Sequence, residues 1–479
     1  MEKPVQPRTS QMSDVLIINS PLFRVKNPLY DEDSLPPIGL GIIATVLKNK
    51  GFRVEVVDAV ADNIPLVDLV NLVRRKLPRF VATNVFTTNY TLVKDLVEAV
   101  DIPVSFVIGG LSTKTLYPAI CGWQSPNPIS VVIGDGEYIT PDIVASCTRE
   151  PAIYSTENRT VFKVDSRSNY FPFDICQVPL DRTFFRNEPT KHPFGFAEAN
   201  IVTSRGCIYN CAFCAAARSL NRDFAVRAKS VDSIIDELNY ISTIYPGLQS
   251  IRVLDDLFLK NQQSLKKAVA IFSRFSLRWR SMAHVMTFRG TDSYLLGQLH
   301  DSGCSELFIG IESGSPQVLR RIHKTEQPDL VLETLTNLFR AGINVKGYFI
   351  YGFPGETEAD FQMTYELASR LRDASVKYGS RFRTSVFQFR PYHGTELYHQ
   401  IETRSHGEGI DPVESVQPNR ALSALVGRLQ FNFHSGNYSA ATLDTVHRYI
   451  YETTNLNSAE LFATEDDSAA PQLVANTGV

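Results

Sequence analysis

The chain has 479 residues, which at about 150 residues per domain predicts roughly three compact units. Hydrophobic residues make up 43% of the chain and charged residues 21%, and glycine and proline number only 27 and 26. These numbers exclude a disordered, collagen-like or low-complexity protein. The net charge of −3 provides no overall basic field that would attract nucleic acid or an anionic membrane surface.

Targeting and membrane signals are not found in the sequence. No apolar run approaches the roughly 18 residues of a membrane span. Residues 1–12, which we expect to form a flexible leader, lack the hydrophobic core of a signal peptide. Seven cysteines in so long a chain, three of them within eight residues, do not predict a disulfide scaffold. We therefore expect a reducing cytoplasm, no membrane or nucleic-acid partner, and a metal or redox site.

Residues 13–150 alternate short apolar runs with amphipathic segments. A helix is predicted from Leu40 to Lys50, with Gly51 closing it as a C-cap. The predicted strands cover residues 14–21, 53–58, 80–85, 104–110 and 131–137. This alternation predicts an α/β domain with an open, doubly wound, Rossmann-like sheet.

Small or turn-forming residues end three of these strands. The glycines among them are Gly109, Gly110, Gly134 and Gly136. Ligands of open α/β sheets bind beyond the carboxyl ends of the strands, and glycine allows a backbone to approach a bulky ligand closely. Tight turns between strand and helix are the alternative explanation. Because several strand ends share the feature, the sequence favours a ligand-binding edge.

The remainder of the chain divides into four parts. Residues 151–199 mix proline, aromatic and charged residues without a period and predict a surface linker. Residues 200–397 contain about six longer strand–helix units, including a helix that Ser230 can cap, and predict a full or partial (β/α) barrel. Residues 398–463 predict a mainly helical extension, with helices at 419–431 and 440–453. The acidic, small-residue tail at 464–479 is expected to be disordered.

Cys207, Cys211 and Cys214 form a cluster directly after the first predicted strand of the barrel. Three thiolates so close in sequence can converge on one metal centre, and soft sulfur ligands select zinc or iron–sulfur. Zinc would need a fourth ligand in a paired spacing, which neither His192 nor His284 provides. Three cysteines instead leave one corner of a [4Fe–4S] cube without a protein ligand.

The C-x3-C-x2-C spacing, with Phe213 before the last cysteine, resembles the signature of radical SAM enzymes. The preceding Thr203-Ser-Arg-Gly-Cys is similar to the sequence found at this position in the subgroup with an N-terminal cobalamin-binding domain. Further segments resemble motifs of that subgroup, in the expected order and over about residues 14–400. They are residues 35–40, 107–110, 133–137, 254–258, 308–315, 348–357 and 390–398.

The resemblance implies a chemistry and a set of site residues. The three cysteines would hold a [4Fe–4S] cluster whose open iron SAM chelates, and an electron from flavodoxin or ferredoxin would break a sulfonium C–S bond. The resulting 5′-deoxyadenosyl radical would abstract hydrogen from a small-molecule substrate, while the protein orients and shields the cofactors. The residues that the resemblance places at SAM are Phe213, Asp255, Asp256, Glu312 and Ser313.

Alternatives remain open for several of these residues. Phe213 could serve only in packing, and one of Asp255 and Asp256 could cap the helix that follows. Tyr392 and His393 are candidates for substrate contact, although a lone histidine is commonly only a hydrogen-bonded structural residue. The sequence has no cysteine after Cys304, which argues against C-terminal auxiliary clusters. Methylthiotransferases need a second cysteine triad early in the chain, and this sequence lacks one.

The reaction depends on whether the N-terminal domain binds cobalamin. Its sequence contains no histidine before His192, so it cannot supply cobalt with the histidine of a D-x-H-x-x-G motif. Relatives that hold cobalamin without histidine keep the cofactor possible, with the strand-end glycines as its contacts. We therefore favour cobalamin-dependent C-methylation of a natural product or metabolite. The alternative is a cobalamin-independent dehydration, epimerisation, decarboxylation or rearrangement of a sugar-like substrate such as an aminoglycoside.

Overall fold

The computed structural model describes residues 13–20, 35–62, 64–191, 194–324, 327–405, 417–418, 433–434 and 436–456. The N-terminal domain is an α/β unit around one seven-stranded sheet. Its elements are β1 (Val15–Asn19), α1 (Ile38–Asn49), β2 (Val54–Asp58), α2 (Leu66–Lys76), β3 (Phe80–Asn84), α3 (Tyr90–Ala99), β4 (Ser105–Gly109), α4 (Thr113–Cys121), β5 (Ile129–Gly134), α5 (Ile139–Val144), β6 (Ala152–Ser155) and β7 (Arg159–Val164).

The sheet has the strand order β2-β1-β3-β4-β5-β7-β6, and only β6 runs antiparallel to its neighbour. Helices cover both faces, because alternate residues of the strands enter different cores. Leu16 and Ile18 pack with residues of α2 and α3, whereas Val15 and Ile17 pack with residues of α1 and α5. The predicted doubly wound, Rossmann-like sheet is therefore confirmed.

The predicted linker at 151–199 is wrong in its first part. Residues 152–164 form β6 and β7, and β7 pairs with β5 along its whole length. Every residue of β6 is exposed, since it is the edge strand, and with four residues it is too short to show a period in the sequence. Beyond β7, the 3₁₀ turns Ile175–Gln177 and Arg182–Phe184 fit the expected connection over a surface.

The second domain is built on another seven-stranded sheet. Its elements are β8 (Thr190–Lys191), β9 (Ala197–Ile201), β10 (Ser204–Arg205), β11 (Arg227–Ala228), α6 (Val231–Ile244), β12 (Ser250–Val253), α7 (Gln262–Phe272), β13 (Arg278–Ala283), α8 (Ser293–Asp301), β14 (Cys304–Glu312), α9 (Pro316–Arg321), α10 (Pro328–Arg340), β15 (Asn344–Tyr351), α11 (Glu358–Lys377), β16 (Phe382–Gln388), α12 (Glu396–Ser405), β17 (Gln417–Pro418), β18 (Phe433–His434) and α13 (Leu443–Thr454).

Six parallel strands of this sheet, in the order β16-β15-β14-β13-β12-β9, curl through 220° into an open half-barrel. Strand β8 adds an antiparallel edge. Alternate residues point to opposite faces: Ile251 and Val253 enter the outer hydrophobic core under the helices, and Arg252 points into the lumen. The predicted partial (β/α)6 barrel is confirmed. It includes strand β13, which was not predicted from the sequence.

The C-terminal region continues the barrel wall. The predicted helix at 440–453 is present as α13, and its Thr453 bonds to the hydroxyl of Tyr351 at 2.7 Å. The predicted helix at 419–431, the leader at 1–12 and the tail at 464–479 lie outside the described residues. Within the part of the chain that the structure covers, no helix is long and apolar enough to cross a bilayer.

Candidate active site at the mouth of the barrel

The cysteine loop leaves the carboxyl end of β9 and is fastened to the barrel at several points. The backbone N–H of Ala212 donates to the carbonyl of Ile322 at 3.1 Å, and the carbonyl of Ala212 accepts from Leu397 N–H at 3.1 Å. The ring of Tyr209 stacks on His284 with centroids 3.7 Å apart. These contacts come from different barrel elements, so the loop is held at the mouth of the barrel.

The three thiols lie close enough to affect one another's ionisation. Burial, together with Cys211 and Cys207, raises the pKa of Cys214 to about 12, and burial also raises the pKa of Cys207. Among the described residues, no group of three His, Cys, Asp or Glu side chains is arranged as a preformed metal site, and this includes the three cysteines. Three soft donors without a fourth fit an iron–sulfur cube with one open corner.

Asp255 and Asp256 follow β12 but have different partners. Asp255 is buried and accepts three hydrogen bonds of 2.6 Å, from the backbone N–H and hydroxyl of Thr203 and from the hydroxyl of Ser204. Burial raises its pKa, although these bonds oppose the effect. Asp255 thus fastens the segment that leads into the cysteine loop, and both of its carboxylate oxygens are engaged in these bonds.

Asp256 is the aspartate that faces open space. One of its oxygens accepts the backbone N–H of Gly206 at 2.9 Å, next to Cys207, and its side chain remains accessible. Burial of the carboxylate among surrounding protein atoms nevertheless raises its pKa. Neither aspartate caps the following helix, because Asn261 is the N-cap of α7. The alternative of a capping role is therefore wrong, and Asp256 stays a candidate for binding SAM.

Glu312 and Ser313 lie at the end of β14, where the strand is irregular. Glu312 has a left-handed backbone conformation with φ of 65°, and its carboxylate lies 3.5 Å from the ammonium of Lys324. A non-glycine residue in this conformation is uncommon outside constrained or functional sites. The Ser313 hydroxyl instead bonds to Thr364 at 3.0 Å and accepts the N–H of Ser315 at 3.1 Å. Glu312 remains a SAM candidate, whereas Ser313 shapes the turn.

Phe213 and Tyr392 are both placed near the cysteines. Phe213 is half-buried, and its ring packs edge-on against Phe353 with centroids 5.6 Å apart. Tyr392 interacts electrostatically with Cys214 and with the buried Arg390, and burial raises its pKa. Phe213 therefore has the packing role that was the alternative, and Tyr392 lies close enough to Cys214 to interact with it electrostatically.

His393 lies between the two domains. Its Nδ1 is 2.9 Å from the hydroxyl of Thr87, and its ring packs against Tyr90 and Tyr398. Desolvation, aided by Arg390, lowers the pKa of His393 to about 3, so the ring is neutral at physiological pH. This position makes His393 part of the domain interface, and the structure does not place it against the open space near the cysteines.

A second interdomain contact was missed by the sequence reading. The guanidinium of Arg205, two residues before Cys207, bonds to Asp135 and to Glu137 at 2.6 Å each. Arg227 also bonds to Asp135, at 2.8 Å. Both partners lie in segments whose resemblance to family motifs was noted from the sequence: Arg205 in Thr203–Cys207, and the two acids in residues 133–137. Sequence alone did not show that the two segments meet.

A partly open cavity of about 250 Å³ lies where the two sheets meet. Its lining includes Gly110, Leu111, Lys114 and Gly134 from the N-terminal domain and Cys207 and Asp256 from the barrel. Gly110 and Gly134 have φ of +108° and +98°, and a Cβ on either would collide with neighbouring backbone. Gly109 and Gly136 are not among the lining residues. Two of the four predicted glycines thus border a space between the strand ends and the cysteine loop.

Comparison with known proteins assigns both domains. A family model described as the radical SAM superfamily matches residues 201–368, and one described as a B12 binding domain matches residues 31–144. An uncharacterized methyltransferase, PH0819 of Pyrococcus horikoshii, is 26% identical over 76% of this chain and 78% of its own length. The cytidylyl-2-hydroxyethylphosphonate methyltransferase of Streptomyces wedmorensis is 23% identical over 86% and 85%.

Two solved structures share the fold. The radical SAM methyltransferase TsrM from Kitasatospora setae, with tryptophan and a SAM analogue bound, has a TM-score of 0.57 at 18% identity, covering 85% of this chain and 78% of its own. The cobalamin-dependent radical enzyme OxsB, with aqua-cobalamin and SAM bound, has a TM-score of 0.59 at 15% identity, covering 84% and 62%. These likenesses support the two-domain architecture.

We expect Asp255→Ala to reduce the iron and sulfide that the reconstituted protein retains. The variant loses three charge-assisted hydrogen bonds that fasten the segment before Cys207, each worth about 1.5–3 kcal/mol. Iron and sulfide analysis after anaerobic reconstitution measures the effect, and Asp236→Ala, an exposed aspartate on α6, is the matched control. Equal cluster content in the two variants would contradict the role given to Asp255.

We also expect His393 to make the fold sensitive to acid. Its pKa is about 3 in the folded chain against 6.5 for the free side chain, so between these values the unfolded chain takes up a proton that the folded chain does not. Stability is therefore lost as pH falls below 6.5, by about 2 kcal/mol between pH 7 and pH 5. Thermal unfolding of His393→Gln should show a smaller loss over this range. The exposed His300→Gln should behave like the parent protein.

Proposed function

The chain belongs to the radical SAM superfamily and carries an N-terminal B12-binding domain, and on this basis we propose that it catalyses cobalamin-dependent C-methylation of a small-molecule substrate. The superfamily implies a [4Fe–4S] cluster and SAM, and the B12-binding domain implies cobalamin. The observation that carries the proposal is the cavity that Gly110 and Gly134 of the B12-binding domain share with Cys207 of the cysteine loop.

Each group of residues has a part in this proposal. Cys207, Cys211 and Cys214 would hold the cluster, and the accessible carboxylate of Asp256 beside Cys207 suits the amino group or ribose hydroxyls of SAM. Gly110 and Gly134 line the cavity and would present backbone to the corrin there. When bound, the cluster supplies the electron that cleaves SAM, and cobalamin supplies the methyl group.

The interdomain contacts support a common site for both cofactors. Arg205 links the backbone next to the cysteines to Asp135 and Glu137 at the end of β5, beside Gly134. On the other side of the site, His393 follows the barrel strand β16 and bonds to Thr87 of the B12-binding domain. Both contacts hold the two domains together around the cavity, which limits the entry of water to a radical reaction.

The relatives favour methyl transfer over the cobalamin-independent alternatives. Two of the most similar curated proteins have printed names that describe methyltransferases, and one of them acts on a phosphonate. By analogy, the substrate here is a metabolite or natural-product intermediate. The proposal includes a flavodoxin or ferredoxin as the electron donor and a reducing cytoplasm as the location, in which the cluster stays intact.

Cobalamin retention tests the methyl-transfer part of the proposal. Protein reconstituted with iron, sulfide and hydroxocobalamin should keep a corrinoid spectrum after desalting. Leu111→Trp should fill the cavity and lower this retention several-fold, because Leu111 is an exposed lining residue. Iron and sulfide content is measured in the same samples, since Cys207 lines the same cavity. Cleavage of SAM to 5′-deoxyadenosine without any bound corrinoid would favour the cobalamin-independent alternative.

The cluster itself is tested by Cys211→Ala. We expect loss of both the iron–sulfur absorbance and SAM cleavage, because two thiolates do not hold the cube with one open iron. Cys147→Ala is the control, since that cysteine is exposed in the N-terminal domain. Unchanged SAM cleavage by Cys211→Ala, or zinc in place of iron and sulfide in the parent protein, would contradict both radical mechanisms.

A further inference from the structure

The chain that follows the last cysteine is tied closely to it. Residues 217–226, which we call the return segment, lead from the cysteine loop to β11. The backbone N–H of Ala217 donates to the carbonyl of Cys214 at 3.1 Å. The side-chain amide of Asn221 donates to the carbonyls of Ala215 and Ala217 at 2.8 and 3.0 Å. A movement of the return segment is therefore transmitted to the backbone beside the last cysteine.

The return segment is also bound to the N-terminal domain by polar contacts. The carboxylate of Asp223 accepts a hydrogen bond from Lys163 on β7 at 2.6 Å and lies 3.5 Å from the ammonium of Lys114 on α4. The carbonyl of Asp223 accepts from the N–H of Ser166 at 3.1 Å, and Lys114 donates to the carbonyl of Leu220 at 2.6 Å. The hydrogen bond from Lys163 lowers the pKa of Asp223, so its carboxylate is charged at neutral pH.

An aromatic ring adds an apolar contact between the return segment and the N-terminal domain. Phe224 packs against the hydrophobic cores on both faces of the N-terminal sheet. A Cβ at Gly134 would lie only 2.6 Å from this ring, and the ammonium of Lys114 lies 5.1 Å from its centroid. The return segment thus follows the cysteines in sequence but packs on the B12-binding domain.

The return segment forms part of the wall of the cavity between the domains. Arg218, Asn221 and Phe224 are among the lining residues, whereas Asp223 and Lys163 are not. A molecule in the cavity would therefore contact the same segment that is bonded to the backbone beside Cys214. The ion pair between Asp223 and Lys163 holds this segment from outside the cavity.

We propose that the return segment couples the two cofactor sites, so that a corrinoid binds more tightly when the cysteines hold the cluster, with Asp223 as a positioning residue. The coupling rests on the proposed function, which puts a corrinoid in the cavity and a cluster on the cysteines. Ordering a segment costs conformational entropy, and the cofactor that binds first orders it for the second. The effect is reciprocal, because one coupling free energy enters both binding equilibria.

The docking of the return segment is weak enough for a cofactor to strengthen it. The side chains of Asp223 and Lys163 are 36% and 24% exposed. Ion pairs that are open to water to this extent contribute little to stability. The segment is therefore positioned by contacts that binding on either side can reinforce.

The coupling is measured as the ratio of two dissociation constants for hydroxocobalamin. Equilibrium dialysis of the full-length protein under anaerobic conditions, without SAM, gives one constant for the cluster-free protein and one for the reconstituted protein. We expect the reconstituted protein to bind the corrinoid about 5- to 10-fold more tightly. Iron and sulfide content is measured in each sample, so that only samples of equal cluster content are compared.

Asp223→Lys separates coupling through the return segment from direct contact between the two cofactors. The substitution places a third cation beside Lys163 and Lys114, which repels the segment from the N-terminal domain without changing a lining residue of the cavity. We expect this variant to bind the corrinoid equally well with and without the cluster. Adding Lys163→Glu restores an ion pair and should restore most of the ratio. The control Asp236→Lys, on the exposed side of α6, should keep the parent ratio.

Asp223→Asn keeps the test decisive if Asp223→Lys does not take up the cluster. It removes the ion pair without adding a charge and should lower the ratio part of the way. Equal corrinoid affinity of the parent protein with and without the cluster would overturn the coupling and leave the proposed function standing. A parent-like ratio in the loaded Asp223 variants would do the same. Absence of corrinoid binding by the parent protein in both states would contradict the proposed function, and the coupling with it.

Discussion

A partly buried set of ion pairs holds the carboxyl ends of two sheets against each other, and the site depends on this arrangement. Arg205, beside the cysteine loop, pairs with Asp135 and Glu137 at the end of β5. Ligands of α/β sheets bind at carboxyl ends. When two such ends face each other, a molecule held by one sheet is presented directly to the other. The cavity between Gly134 and Cys207 is the consequence.

The fold was predictable wherever strands are apolar on both faces. The N-terminal strands read as continuous apolar runs, because helices cover both sides of that sheet. Strand β13 was not predicted because Arg278 and Arg280 interrupt its apolar pattern. A charged residue is accommodated at Arg280 because this side chain faces the lumen of the barrel and not the hydrophobic core. Strand β6 was missed because it is exposed at the edge of the sheet.

The part of the site that depends on residues close together in sequence was predictable. The cysteine triad needs only eight residues of sequence, so a metal-binding role could be proposed for it before the fold was known. The sequence could not show that Asp255 holds the segment before the cysteines while Asp256 stays accessible. This difference depends on which of the two aspartates faces Thr203 across the barrel mouth. For the same reason His393 resembled a substrate contact, although Thr87, which lies 306 residues away in sequence, fixes it in the interface.

The barrel separates stability from chemistry by using the two faces of its strands differently. The outer faces and their helices form the largest hydrophobic core, to which α13 adds Val446, Tyr449 and Ile450. Burial of this apolar surface supplies the stability of the domain. The inner faces are therefore free to carry charged residues such as Arg252 and Lys346, whose burial would destabilise a smaller domain. The stability supplied by the outer core thus offsets the cost of burying charged side chains in the lumen.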